Sequence, residues 1–151
     1  MTYQVRRVPA ETTYQLRHAV LRPHQPVESL RLVDDDAPDT ASLAAVDDAG
    51  ATLGTATVRR EICPWQPGRA DAWQLRGMAT SATRRGQGIG GDVLAAAIAH
   101  IEQHGGGLLW CNARTPARSF YERAGFAAYG DHWDDPAIGP HVRMWREVAG
   151  R

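Results

Sequence analysis

The run Ser81-Ala82-Thr83-Arg84-Arg85-Gly86-Gln87-Gly88-Ile89-Gly90-Gly91 lies between a strand-like stretch and an amphipathic helical one. Glycines in such a loop let backbone N–H groups converge on an anion, and the start of the following helix adds its partial positive charge. The chemistry implied is the binding of a phosphate-bearing ligand. Read literally, Gly86, Gly88 and Gly91 also satisfy G-x-G-x-x-G, the dinucleotide fingerprint. The context argues against it. Five residues separate Thr80 from Gly86, and the next strand ends in Cys111-Asn112 where an acidic ribose partner is wanted.

Other residue types narrow the chemistry further. All 17 basic residues are arginines. A Walker A loop needs a Gly-Lys pair and a Schiff base needs a lysine amine, so both are excluded. Cys63 and Cys111 stand apart without a C-x-x-C partner, which indicates neither a disulfide framework nor a zinc site. His100 and His104 are four apart, but His100-Ile101-Glu102-Gln103-His104 misplaces the glutamate of H-E-x-x-H, so no metal is expected. Seventeen acidic residues balance the arginines, giving zero net charge and no bulk field for nucleic acid or anionic lipid. No apolar run approaches the roughly 20 residues of a membrane helix, and MTYQVRRVPA is no signal peptide; a cytoplasmic protein is the expectation.

The elements that must position this loop follow from periodicity. With 151 residues, 43% of them hydrophobic, one folded domain spanning 1–151 is expected. Tyr3 to Val8 alternates like a strand, and Pro9 opens a helix whose apolar face would be Tyr14, Leu16, Ala19, Val20 and Leu21, ended by Arg22-Pro23. Val33 to Thr40 reads as an exposed connection. Strands are predicted over 42–46 and 54–61, joined by the turn Asp47-Asp48-Ala49-Gly50, and over 72–80. Gly90 to His104 is the clearest helix, with Val93, Leu94, Ala97, Ile98 and Ile101 on one face and Gly105-Gly106-Gly107 as its stop. A buried strand covers 108–113, Thr115-Pro116 reads as N-cap and first residue of a short helix, and strands over 126–130 and 141–148 finish the chain. His132 and Trp133 fall in the loop between them. The order β-α-β-β-β-α-β-α-β-β is that of a mixed α/β sheet covered by helices.

Arg85-x-x-Gly88-x-Gly90 is the R/Q-x-x-G-x-G/A pattern of the GNAT acetyltransferases, and the element order resembles that fold along the whole chain. The resemblance implies a mixed, mostly antiparallel central sheet, a loop that binds the pyrophosphate of acetyl-CoA, and an acetyl-CoA-dependent N-acetyltransferase. Four blocks sharpen it: Arg22-Pro23-His24-Gln25-Pro26, Gln74-Leu75-Arg76-Gly77-Met78-Ala79-Thr80, Leu108-Leu109-Trp110-Cys111-Asn112-Ala113-Arg114-Thr115 and Ile138-Gly139-Pro140-His141 look like those of the glyphosate N-acetyltransferases. Carried over residue by residue, the substrate arginines fall on Arg22, Arg76 and Arg114, the catalytic histidine on His141, and the tyrosine near the thiol on Tyr121. Met78, Ala79, Thr80, Arg85, Gly86, Gln87, Gly88, Ile89, Gly90 and Ser119 fall on positions that bind the cosubstrate. The sequence departs from the subgroup by keeping the full glycine pattern in the loop, and shows little similarity to it over Val27 to Arg60.

These roles suit the chemistry. Acyl transfer from a thioester needs a base for the amine's proton, donors for the developing oxyanion, and a proton for the departing thiolate. Three guanidinium forks suit carboxylate and phosphonate alike. The resemblance thus implies acetylation of a small anionic amino acid or aminophosphonate, glyphosate-like in its charge, by direct attack with His141 as base, in a monomer or homodimer. Two rivals differ in class. A GNAT enzyme for a peptide N-terminus, amine drug or polyamine would want an acidic or open pocket, and a noncatalytic acyl-CoA binding module would need neither His141 nor Tyr121. Tyr121 also sits at helical spacing with Ala117 and Ala124, as a core or interface tyrosine would.

Overall fold

A computed structural model describes residues 2–31 and 37–151. The strands are β1 (Tyr3–Val8), β2 (Ala41–Asp47), β3 (Thr52–Arg60), β4 (Ala72–Thr80), β5 (Gly107–Arg114), β6 (Ala127–Asp135) and β7 (Gly139–Val148). Their order in the sheet is β1-β2-β3-β4-β5-β7-β6. The helices are α1 (Glu11–Leu21), α2 (Ile89–Gln103) and α3 (Arg118–Arg123). This is the expected order of elements and the expected mixed, mostly antiparallel α/β sheet. Of the predicted connection from Val33 to Thr40, Val33 to Asp36 lie outside the described residues. Among the described residues no helix is long and apolar enough to cross a membrane.

Two compact units divide the chain. The first takes residues 1–59 and 76–100. In it β1 pairs antiparallel with β2, from Tyr3↔Asp47 to Val8↔Ser42, and β2 with β3, from Ala41↔Val58 to Val46↔Thr52. The β2–β3 turn closes as its sequence predicts, with the Asp47 carboxylate accepting the N–H groups of Ala49 and Ala51. In α2, Val93, Leu94 and Ala97 are buried while Ile98 is only half-buried, close to the expected apolar face. Its first residue, Ile89, seats against Gly54 of β3, where an added Cβ would lie 2.7 Å from Ile89 Cγ2.

Helix α1 departs from expectation. Thr13 and Arg17 are its buried residues, while Ala19 is exposed. The reason is Gly77 of β4, at φ +63, whose missing Cβ leaves room for the Arg17 side chain: a Cβ there would lie 2.7 Å from Arg17 Nε. Arg17 also donates to Thr13 Oγ1 at 3.3 Å and lies 5.7 Å from the Tyr14 ring centroid. A guanidinium is buried only where hydrogen bonds and ring faces meet it, and a period-3.6 search for apolar residues passes over such a face.

The second unit takes residues 60–75 and 101–151. The parallel pairs Ala72↔Leu108, Trp73↔Leu109 and Gln74↔Trp110 join β4 to β5. β5 pairs antiparallel with β7 along its whole length, from Gly107↔Val148 to Arg114↔His141, and β7 pairs antiparallel with β6. Cys63, Ala72, Leu108 and Trp110 form a core cluster on which Trp65 and Trp145 pack. A bidentate clamp of Arg69 on both Asp71 and Glu147 braces this unit, holding both carboxyls below their usual range.

Candidate active site

In the first unit, β4 runs through Arg76, Met78, Ala79 and Thr80, followed by a short 3-10 turn over Ala82–Arg84 and then by Arg85 to Gly90 entering α2. The turn is tied back by Ser81 N–H donating to Leu53 O and Arg84 N–H to Ser81 O. Arg84 Nε donates to Gln87 Oε1 at 2.9 Å, closing the loop on itself. Gly86 and Gly88 hold φ +79 and +82, and nothing lies within 4 Å of where their Cβ atoms would be. The loop is therefore an open backbone surface at a helix start, the form of site that accepts a phosphate closely. Asp92 in the first turn of α2 accepts the phenol of Tyr3.

Arg22 caps the end of α1. Its N–H donates to the carbonyls of Arg17 and His18, and its guanidinium to Leu21 O. The segment after it is pinned by His18 Nε2 donating to Gln25 O at 2.7 Å. Arg22 and Arg76 belong to this first unit, both half-buried.

Arg114, Ser119, Tyr121 and His141 belong to the second unit. Arg114 and His141 are direct cross-strand partners at the ends of β5 and β7. His141 is 5% exposed, and its Nδ1–H donates to Gly139 O at 2.8 Å. A carbonyl can only accept, so the proton sits on Nδ1 in the neutral ring and the lone pair on Nε2, as a proton acceptor requires. Trp133 of β6 is the partner of His141 on its other side, and its ring stacks on the imidazole at 5.4 Å between centroids and 28° between planes.

The expectation that His132 and Trp133 lie in a loop is thus corrected: both belong to β6, which runs to Asp135. The signal was hidden by a register shift between Tyr129 and Trp133, which breaks the period-2 alternation. Thr115 is likewise no N-cap. It begins a 3-10 turn, Thr115–Ala117, that precedes α3, and no side-chain cap closes either element.

Tyr121 of α3 is buried between Phe120 and Phe126, edge to face with both. Burial, with a smaller contribution from Cys111, raises its phenol well above the ordinary value of 10.0. Cys111 is pushed up to about 12 by burial. Both groups keep their protons at neutral pH. Ser119, two residues earlier, is exposed. His100 donates from Nε2 to Asp39 O at 2.9 Å, and His104 meets the Trp73 ring edge to face. Among the described residues no group of three or more His, Cys, Asp or Glu side chains could hold a metal ion.

Comparison with known proteins identifies the family to which these elements belong. The model of the acetyltransferase (GNAT) family matches residues 10–126, so the chain belongs to the GNAT acetyltransferase family. It is 32% identical over 145 residues to the uncharacterized N-acetyltransferase YitI of Bacillus subtilis (strain 168), covering 96% of each chain. Its fold matches a structure from Lactobacillus plantarum assigned as an N-acetyltransferase, with a TM-score of 0.77, 19% identity and coverage of 98% and 99%. A phosphinothricin acetyltransferase from Sinorhizobium meliloti, in complex with AcCoA, matches with a TM-score of 0.74, 17% identity and coverage of 99% and 90%. The chain is accordingly an N-acetyltransferase, with acetyl-CoA as acyl donor.

Proposed function

We propose that residues 1–151 act as one catalytic domain that acetylates the amine of a small anionic amino acid or aminophosphonate by direct attack on the thioester. The observation that carries this reading is the cross-strand pairing of Arg114 with His141, two residues on one face at the ends of β5 and β7, with the Nδ1–H of His141 engaged and its Nε2 left to accept a proton. In this reading the acceptor's acidic group is held by Arg114, with Arg22 and Arg76 as further anion donors, and Nε2 of His141 takes the proton that the amine loses.

The amine nitrogen forms its bond to the carbonyl carbon, the carbon–sulfur bond breaks, and the sulfur leaves with a proton from Tyr121. Tyr121 keeps its proton at neutral pH, as a proton donor must, while burial makes the phenol a weaker acid than an exposed one. Backbone N–H groups of Met78, Ala79 and Thr80 face the thioester oxygen. Arg85, Gly86, Gln87, Gly88, Ile89 and Gly90 receive the pyrophosphate, a role supported by the open space at Gly86 and Gly88, and Ser119 contributes to the same cosubstrate.

The deciding measurement is kcat/KM for matched anionic, neutral and cationic amines at two ionic strengths. Anionic acceptors should be favoured, with an advantage that shrinks as salt is raised. A cationic or neutral amine turning over best at both ionic strengths would overturn this acceptor class.

A further inference from the structure

We infer that Trp133 is a positioning residue for this reaction, holding the His141 imidazole in the one orientation in which Nε2 can take a proton. The inference rests on the reading of His141 as base. A histidine ring turns about a broad, roughly two-fold torsion, so one hydrogen bond through Nδ1 leaves its plane free to rock. Here the indole of Trp133 lies against the imidazole at 5.4 Å and 28° and closes that freedom on one face. The indole is itself pinned, because the Arg143 guanidinium lies 4.9 Å from its ring centroid.

The backbone supplies this contact by a particular device. From Tyr129↔Arg143 to Trp133↔His141 the chain advances four positions along β6 against two along β7, with Gly130 at φ +73 inside the shift. That excess carries Trp133 to the row of His141. Without it, an unbroken ladder would set Asp131 there, and a carboxylate has no ring face to offer.

The test uses the full-length enzyme with Trp133→Leu, which keeps an apolar side chain but removes the flat face, and Trp133→Phe, which restores one. Two readouts are taken, steady-state kinetics and the nitrogen NMR shifts that report the tautomer of His141. Trp133→Leu should lower kcat by about 10- to 100-fold, the scale of a misplaced catalytic group, while the KM for acetyl-CoA stays within about twofold. It should also turn a single Nδ1–H tautomer into a mixture, and Trp133→Phe should recover most of both effects. A His141 tautomer and kcat unchanged in Trp133→Leu, or a Trp133→Phe no better than Trp133→Leu, would overturn the inference. His141→Gln with undiminished kcat would instead remove the reading of His141 as base, and the tautomer measurement then decides alone whether Trp133 orients the ring.

Discussion

His141 and Tyr121 address opposite faces of the sheet made by β5 and β7. His141 shares a face with its cross-strand partner Arg114, whereas Arg146, whose guanidinium donates to Ala124 O at the end of α3, lies an odd number of positions from His141 on β7 and so belongs to the other face, the one that α3 with Tyr121 covers. In the reading proposed above His141 serves the entering amine and Tyr121 the leaving sulfur, so each role has its own substitution as a test.

Replacement of His141 by Gln should therefore reduce kcat by about 10²–10⁴-fold, the usual contribution of a general base. The KM for acetyl-CoA should hardly move, since the cosubstrate residues proposed above lie elsewhere in the chain. Steady-state kinetics at saturating donor would check this. A variant with the wild-type rate would make His141 a structural residue.

Tyr121→Phe should lower kcat yet preserve folding, because the ring continues to pack on Phe120 and Phe126. Truncation to Ala should in addition cost about 3–5 kcal/mol of stability, as for other buried aromatic rings. Urea denaturation beside the kinetics separates the two effects.

Alkaline pH should weaken the fold by way of a buried pair. Cys111 and Tyr121 bind their protons more tightly folded than unfolded, having risen from ordinary values of 9.0 and 10.0. Their contribution is whole below those values and is lost as pH climbs through and beyond them. Urea midpoints measured from pH 8 to 11 should fall, and less steeply in Tyr121→Phe.

Two glycines should respond to alanine to different degrees. At Gly77, φ +63 and an added Cβ 2.7 Å from Arg17 Nε combine, so Gly77→Ala should cost more than the roughly 1–2 kcal/mol of a left-handed residue alone. At Gly88, φ +82 with open space around it should cost no more than about that strain. Gly88→Val should nevertheless raise the KM for acetyl-CoA strongly if the loop receives the pyrophosphate. Melting temperature and donor titration on the two variants make the contrast.

The acceptor's charge should be read by Arg114. Arg114→Ala should erase much of the preference for anionic over neutral amines and flatten its salt dependence, while donor KM remains near wild type. Indifference of Arg114→Ala to acceptor charge would leave an N-acetyltransferase of another acceptor class.

The sequence by itself determined the succession of elements and the character of the glycine loop. Alternation over Tyr3–Val8, the apolar stripe of α2 and its glycine stop are local signals, because strand and helix periods are properties of neighbouring residues. The glycines at 86 and 88 are of the same kind, since a left-handed backbone restricts residue type at the position itself. Only the tertiary structure decided the surroundings of His141. Its partners Arg114 and Trp133 come from two other strands, and the pairing with Trp133 depends on a register shift that no local period records. The buried face of α1 was decided in the same way: Arg17 is drawn inward by the space that Gly77 leaves on β4, a contact spanning sixty positions of sequence. Cross-strand register and the fit of one side chain into another residue's missing volume are long-range quantities, and they depend on packing that emerges only when the elements meet.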